Sequence, residues 1–96
     1  MNEIALISRE EVLQKLKEDN PFFCLVDVRE RHEFAEFNWG GVNVPAHELG
    51  DYVEKLTEFK EIVVACSNGM RSGIMARVIQ KKIPGAHILH LEEGIW

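Results

Sequence analysis

The residues best placed to do chemistry lie in "EIVVACSNGMRSGIMARVIQKK", residues 61–82. An apolar run climbs to Cys66, breaks into the short polar loop Ser67, Asn68, Gly69, Met70, Arg71, and turns helical from about Ser72. The first N–H groups of a helix have no partner within the helix and point back toward the loop that feeds it. Loop amides can join them in a concavity that binds anions, and Gly69 can take backbone angles other residues resist. A thiolate held there is stabilised, so the Cys66 pKa is expected to fall below the free value of about 8.5. The thiolate is the nucleophilic form, so a reactive cysteine at neutral pH is the expectation. Arg71 adds a permanent charge and a forked donor, able either to orient an anion or to brace the loop.

Each candidate has a plainer reading. Cysteine is among the most buried residue types, and Cys24, inside "FFCLVDV", reads as a small core hydrophobe. Cys66 differs because polar residues and a helix start follow it. Asp27, Arg29 and Glu30 close a strand. Either Asp27 fixes the strand edge with Arg29 near the substrate, or the group is a structural ion pair that satisfies local donors. His47 and Glu48 follow another strand end and read as a solvated loop. His87 and His90 are three apart on a strand and should face opposite sides, and with His32 they show no metal-ligand spacing. No metal and no cofactor are expected. Neither Gly-x-Gly-x-x-Gly nor Gly-x4-Gly-Lys-Ser/Thr occurs, so nucleotide binding has no support.

The elements that must position these residues can be read in order. Residues 4–7 suit a short strand. Ser8 with Glu11 is a capping-box pattern opening a helix striped by Val12, Leu13 and Leu16, which ends near Asn20-Pro21. "FFCLVDV" (22–28) is continuously apolar up to Asp27, as in a strand covered on both faces. A helical turn is expected over 30–37, a short strand over 42–44, and a helix carrying Leu49, Tyr52, Val53 and Leu56. "EIVVA" (61–65) is a second buried strand. A helix over 72–82 should bury Ile74, Met75, Val78 and Ile79, and Pro84-Gly85 end it before a last strand over 86–91. This alternation implies an α/β fold, a mostly parallel open sheet of about five strands with helices on both faces. Ligands bind such sheets at the carboxyl ends of the strands. There 27–30, 45–48 and 66–71 should converge, with 92–94 nearby.

The 96 residues suit one domain, 1–96, without repeats or linkers. A net charge of −5 argues against broad binding to nucleic acid or an anionic membrane. "MNEIALISREEV" lacks the basic start and apolar core of a signal peptide, so the cytoplasm is the expected location. Cys24 and Cys66 form no Cys-x-x-Cys motif, and in a reducing compartment both stay free thiols. Nothing demands a dimer, and a monomer is expected. Glu30, Glu48, Glu92 and Glu93 all fall near the proposed site, so a dianionic ligand would meet local repulsion unless Arg71 and the amides dominate close in.

"CSNGMRS" resembles the active-site loop of the rhodanese-like domains, Cys-x-x-Gly-x-Arg-Ser/Thr. "LVDVRE" (25–30) resembles that family's Asp-x-Arg segment, "GGVNVP" (40–45) its Gly-Ala-x-Asn-Ile-Pro stretch, and "LEEGIW" (91–96) its closing Gly-Gly-x-x-x-Trp region. "FNW" (37–39) departs from the family's Gly-His-Ile, a change expected to alter packing more than chemistry. Many relatives continue past the point corresponding to Trp96, so a last helix is expected to be missing here. The resemblance implies sulfurtransfer: Cys66 takes a sulfane sulfur from thiosulfate or a small or protein-bound persulfide and passes it to a thiophilic acceptor. Ser67, Asn68, Gly69, Met70, Arg71 and Ser72 would form the anion-binding loop, with Asp27 and Arg29 in support. Two other readings stand beside it. One is a relay or protein-binding module of the same family without efficient turnover. The other is a phosphate- or arsenate-processing enzyme, disfavoured because phosphatases of the Cys-x5-Arg type need a longer loop.

Overall fold

The computed structural model describes residues 4–96; Met1, Asn2 and Glu3, the start of the segment read as lacking signal-peptide character, lie outside them. Five strands form one all-parallel sheet: β1 (Ala5–Leu6), β2 (Phe23–Asp27), β3 (Val42–Asn43), β4 (Glu61–Ala65) and β5 (His87–His90), in the order β1-β5-β4-β2-β3. The helices are α1 (Arg9–Lys17), α2 (Arg31–Glu36), the single turn α3 (Leu49–Tyr52) and α4 (Met70–Lys82). Turns of 3-10 helix, Ala46–Glu48 and Val53–Leu56, flank α3.

The continuously apolar strands are buried on both faces, as their composition requires. Cys24, Val26, Ile62, Val64 and Ile88 point to one side, where Leu49, Val53, Leu56, Ala76 and Ile79 cover them. Leu25, Val63, Ala65 and Leu89 point to the other, against Val12, Leu16 and Ile95. The strand period of two assigns alternate residues to α1 or to α3 and α4.

The termini of α1 follow the sequence signals. The Ser8 hydroxyl accepts from the Glu11 N–H at 3.2 Å, and the Ser8 N–H donates to the Glu11 carboxylate at 3.2 Å. One expectation is corrected at α4. Ile74 is 60% exposed, and the stripe facing the core is Ser72, Ala76 and Ile79, with Met75 and Val78 half-buried beside it. The helix begins at Met70, two residues before the expected start, and Ile74 lies two residues from Ser72 and Ala76, on the opposite side of a 3.6-residue turn.

The ladder continues past the strand ends and locks their carboxyl termini together. The Val28 N–H donates to the Ala65 carbonyl (2.9 Å), that of Val44 to Asp27 (2.9 Å), that of Ala46 to Val28 (3.1 Å) and that of Ile95 to Cys66 (2.8 Å). Among the described residues, no helix is long and apolar enough to cross a membrane.

Candidate active site

Cys66 is the first residue beyond β4, and the loop it opens is closed by the start of the 13-residue α4. Gly69 stands at the helix N-cap with φ +89°, a left-handed conformation that disfavours any side chain. A Cβ there would also lie 2.2 Å from the Glu92 carbonyl oxygen beyond β5, so only glycine lets the two loops pack. The tight turn aims two backbone donors at the cysteine: the Gly69 N–H reaches Sγ at 3.1 Å and the Ser72 N–H at 3.3 Å.

These contacts fix the electrostatics. Burial alone pushes the Cys66 thiol up, but the Ser72 hydroxyl and the amides of Ser72, Asn68 and Gly69 outweigh it and hold the pKa below the ordinary thiol value. Cys24 has no such donors and is pushed up to about 11, first by burial and then by Glu58. Other groups of the loop turn away from Sγ. The Met70 N–H turns to the Asn68 side-chain oxygen at 3.1 Å, and the Met70 side chain is 75% exposed. Ser67 Oγ accepts from Arg71 at 3.2 Å and lies 3.4 Å from Glu33. Cys66 itself is 0% exposed, so a donor reaches Sγ only when neighbouring side chains move.

Arg71 braces the loop. Its guanidinium makes a forked pair with the Glu33 carboxylate, at 2.9 and 3.2 Å. The same pairing, together with the Glu30 N–H and the Ser67 hydroxyl, holds the Glu33 carboxyl well below its usual range, at about 2, although partial burial opposes it. Sequence reasoning missed Glu33. It sits at the third position of α2, where its carboxylate also accepts the Glu30 N–H at 2.9 Å, and local spacing explains it fully as a helix-capping residue. Only the tertiary contact, 38 residues away in sequence, brings it to the loop.

Asp27 and Arg29 are fully buried and bind each other. Arg29 Nη2 donates to Asp27 Oδ2 at 2.8 Å and Nε to Oδ1 at 3.0 Å, while a further donor reaches the Phe37 carbonyl. Trp96 lies over the guanidinium, 5.9 Å from its ring centre, and stacks on Phe37. The departure at "FNW" thus enters the packing around this ion pair. His47 is exposed between Glu30 and Glu48, and Glu48 also pairs with Arg31. His87 faces solvent beside Glu61, whereas His90 is buried beneath the cysteine loop. Among the described residues, no group of three or more His, Cys, Asp or Glu could hold a metal ion.

A model of the rhodanese-like domain matches residues 8–95. The chain belongs to the rhodanese-like domain family. It is 35% identical over 80 residues to a Bacillus subtilis (strain 168) protein named "Putative sulfur carrier protein YrkF", covering 82% of this chain. The chain spans 43% of that relative's length. Among solved structures it resembles reduced CoADR-RHD of Bacillus anthracis (27% identity, TM-score 0.79), covering 95% of this chain and 16% of that one. It also resembles the single-domain sulfurtransferase RDL2 of Saccharomyces cerevisiae (16% identity, TM-score 0.78), covering 99% and 88% of the two chains. At that identity the second likeness speaks for the rhodanese-like fold alone.

Proposed function

We propose that this rhodanese-like domain moves a sulfane sulfur from a donor to a thiophilic acceptor through a persulfide on Cys66. The observation that carries the reading is the pair of backbone N–H groups, Gly69 and Ser72, that meet Sγ at 3.1 and 3.3 Å at a helix start. In the first half-reaction the Cys66 thiolate attacks the donor's outer sulfur. The donor's S–S bond breaks, its electron pair leaves with sulfite or a thiolate, and Cys66 becomes a persulfide anion. An acceptor thiolate or cyanide then attacks the outer sulfur, and the electron pair of the cleaved bond restores the Cys66 thiolate. No proton and no net electron is needed from the protein. The amides that face the thiolate are preorganised for the charge that returns to it.

The charge around the loop favours a donor of low charge, a small or protein-bound persulfide, over dianionic thiosulfate. Arg71, the loop's own cation, is matched by Glu33, and Glu30 adds to the negative field it feels. A reducing compartment such as the cytoplasm, where the buried free thiols of Cys24 and Cys66 persist, suits this role. The test compares transfer from thiosulfate and from an uncharged alkyl persulfide at low and high ionic strength. The expected result is a high thiosulfate KM that falls as salt screens the repulsion, with a persulfide KM that barely moves. A low, salt-insensitive thiosulfate KM overturns the donor assignment. The runner-up, a relay module with slow turnover, is favoured by the complete burial of Cys66. It predicts stoichiometric loading without sustained turnover on either donor.

A further inference from the structure

Beneath the cysteine loop lies a histidine that the persulfide chemistry does not use directly. His90 ends β5 and is 9% exposed. Its Nε2 is 3.1 Å from the Gly69 carbonyl oxygen and 2.9 Å from Ser72 Oγ. These two residues are the ones whose N–H groups meet Cys66 Sγ.

The partners decide the tautomer. A carbonyl oxygen only accepts, so the contact with Gly69 requires a proton on Nε2. A protonated Nε2 cannot accept from Ser72, so the Ser72 oxygen must also be an acceptor, and its own hydrogen is left free. The Ser72 N–H already meets Cys66 Sγ at 3.3 Å, and the Ser72 hydroxyl lowers the Cys66 pKa, so that hydrogen is available to the same sulfur. The backbone has been shaped to admit the ring. Gly73, in the first turns of α4, would place a Cβ 3.2 Å from His90 Cε1. Glycine inside a helix is destabilising relative to alanine, and here the room it leaves is taken up by the imidazole.

We infer that His90 is a positioning residue for the reactive sulfur: its Nε2–H clamps the Gly69 carbonyl and the Ser72 oxygen, so that the Ser72 hydroxyl and both amides stay aimed at Cys66. The inference rests on Cys66 being the reactive thiol. Its test reads the thiol directly, so it succeeds or fails independently of whether sulfur transfer turns over.

The test is the pH dependence of Cys66 alkylation by iodoacetamide, followed by peptide mass, in the native protein and in His90→Leu and His90→Gln. The charged groups that face the loop and the cleft beside His90 (Arg71, Glu33, Arg77 and Glu92) are the same in all three proteins. His90→Leu, which fills space without a donor, is expected to raise the midpoint by about one pH unit, a tenfold loss of thiolate below it. His90→Gln places an amide donor near the position of Nε2 and is expected to restore most of that shift. A Leu variant with the native midpoint overturns the inference, as does a Gln variant shifted as far as Leu, which would mean that packing alone matters. A measurement on the native protein stands apart from whether the variants fold: nitrogen-15 correlation of the His90 ring should show a protonated Nε2. A bare Nε2 with the proton on Nδ1 overturns the assignment.

Discussion

Replacing Glu33 by glutamine keeps the side chain's size and removes the charge that holds Arg71. The carboxyl stands at about 2 against an ordinary 4.5, and at 1.36 kcal/mol per unit that gap converts to roughly 3 kcal/mol. The Arg71 side chain is 39% exposed and that of Glu33 25%, so solvent screening reduces the contribution to about 1 kcal/mol. For a domain of this size that is a fall of roughly 4–8 °C in Tm. The sign of the pH dependence follows from the depressed folded value. The contribution is complete above the unfolded pKa of 4.5 and is lost as pH falls toward about 2. Urea unfolding of native and Glu33→Gln protein across this range should give a difference that is constant near neutrality and shrinks in acid. Other carboxylates cancel in the difference. Equal stabilities at pH 7, or a difference that persists unchanged at pH 3, would refute the bracing role assigned to the pair.

Other consequences can be checked with simple variants. At pH 8 iodoacetamide should label Cys66 and leave Cys24 untouched, because burial pushes the Cys24 thiol up to about 11; equal labelling would contradict the electrostatics of the loop. Gly69→Ala combines a positive φ with a Cβ only 2.2 Å from the Glu92 carbonyl oxygen, so it should cost at least about 2 kcal/mol and lower Cys66 reactivity, as read by urea unfolding and alkylation rate. Asp27→Asn leaves the fully buried Arg29 without its counter-ion, and a loss of roughly 3–5 kcal/mol is expected in chemical denaturation.

Much of this arrangement was legible in the sequence because it depends on local rules. The apolar runs 22–28 and 61–65 announce doubly covered strands, Ser8 and Glu11 announce a helix start, and both signals match the structure. The convergence of strand ends follows from parallel alternation, and the ladder bonds joining Val28, Ala46 and Ile95 to neighbouring strand ends realise it. What could not be read depends on where a side chain points once the chain is folded. Ile74 fits an apolar helical pattern, yet it lies on the side of α4 opposite the buried Ser72 and Ala76. Six residues, Ser67 to Ser72, could have offered amides to the sulfur. The left-handed turn at Gly69 directs the Gly69 and Ser72 N–H groups there and sends the Met70 N–H to Asn68. Glu33 and His90 carry no local sign of their role, because each meets the loop across a long stretch of chain.

The most direct test of the account is intact mass after exposure to a persulfide donor or thiosulfate, for native protein, Cys66→Ser and Cys24→Ser. The account predicts a gain of one sulfur atom in the native and Cys24→Ser proteins, reversed by cyanide and absent in Cys66→Ser. Native protein that gains no sulfur from either donor, or a Cys66→Ser variant that gains it as readily, would contradict the claim that Cys66 carries the sulfur.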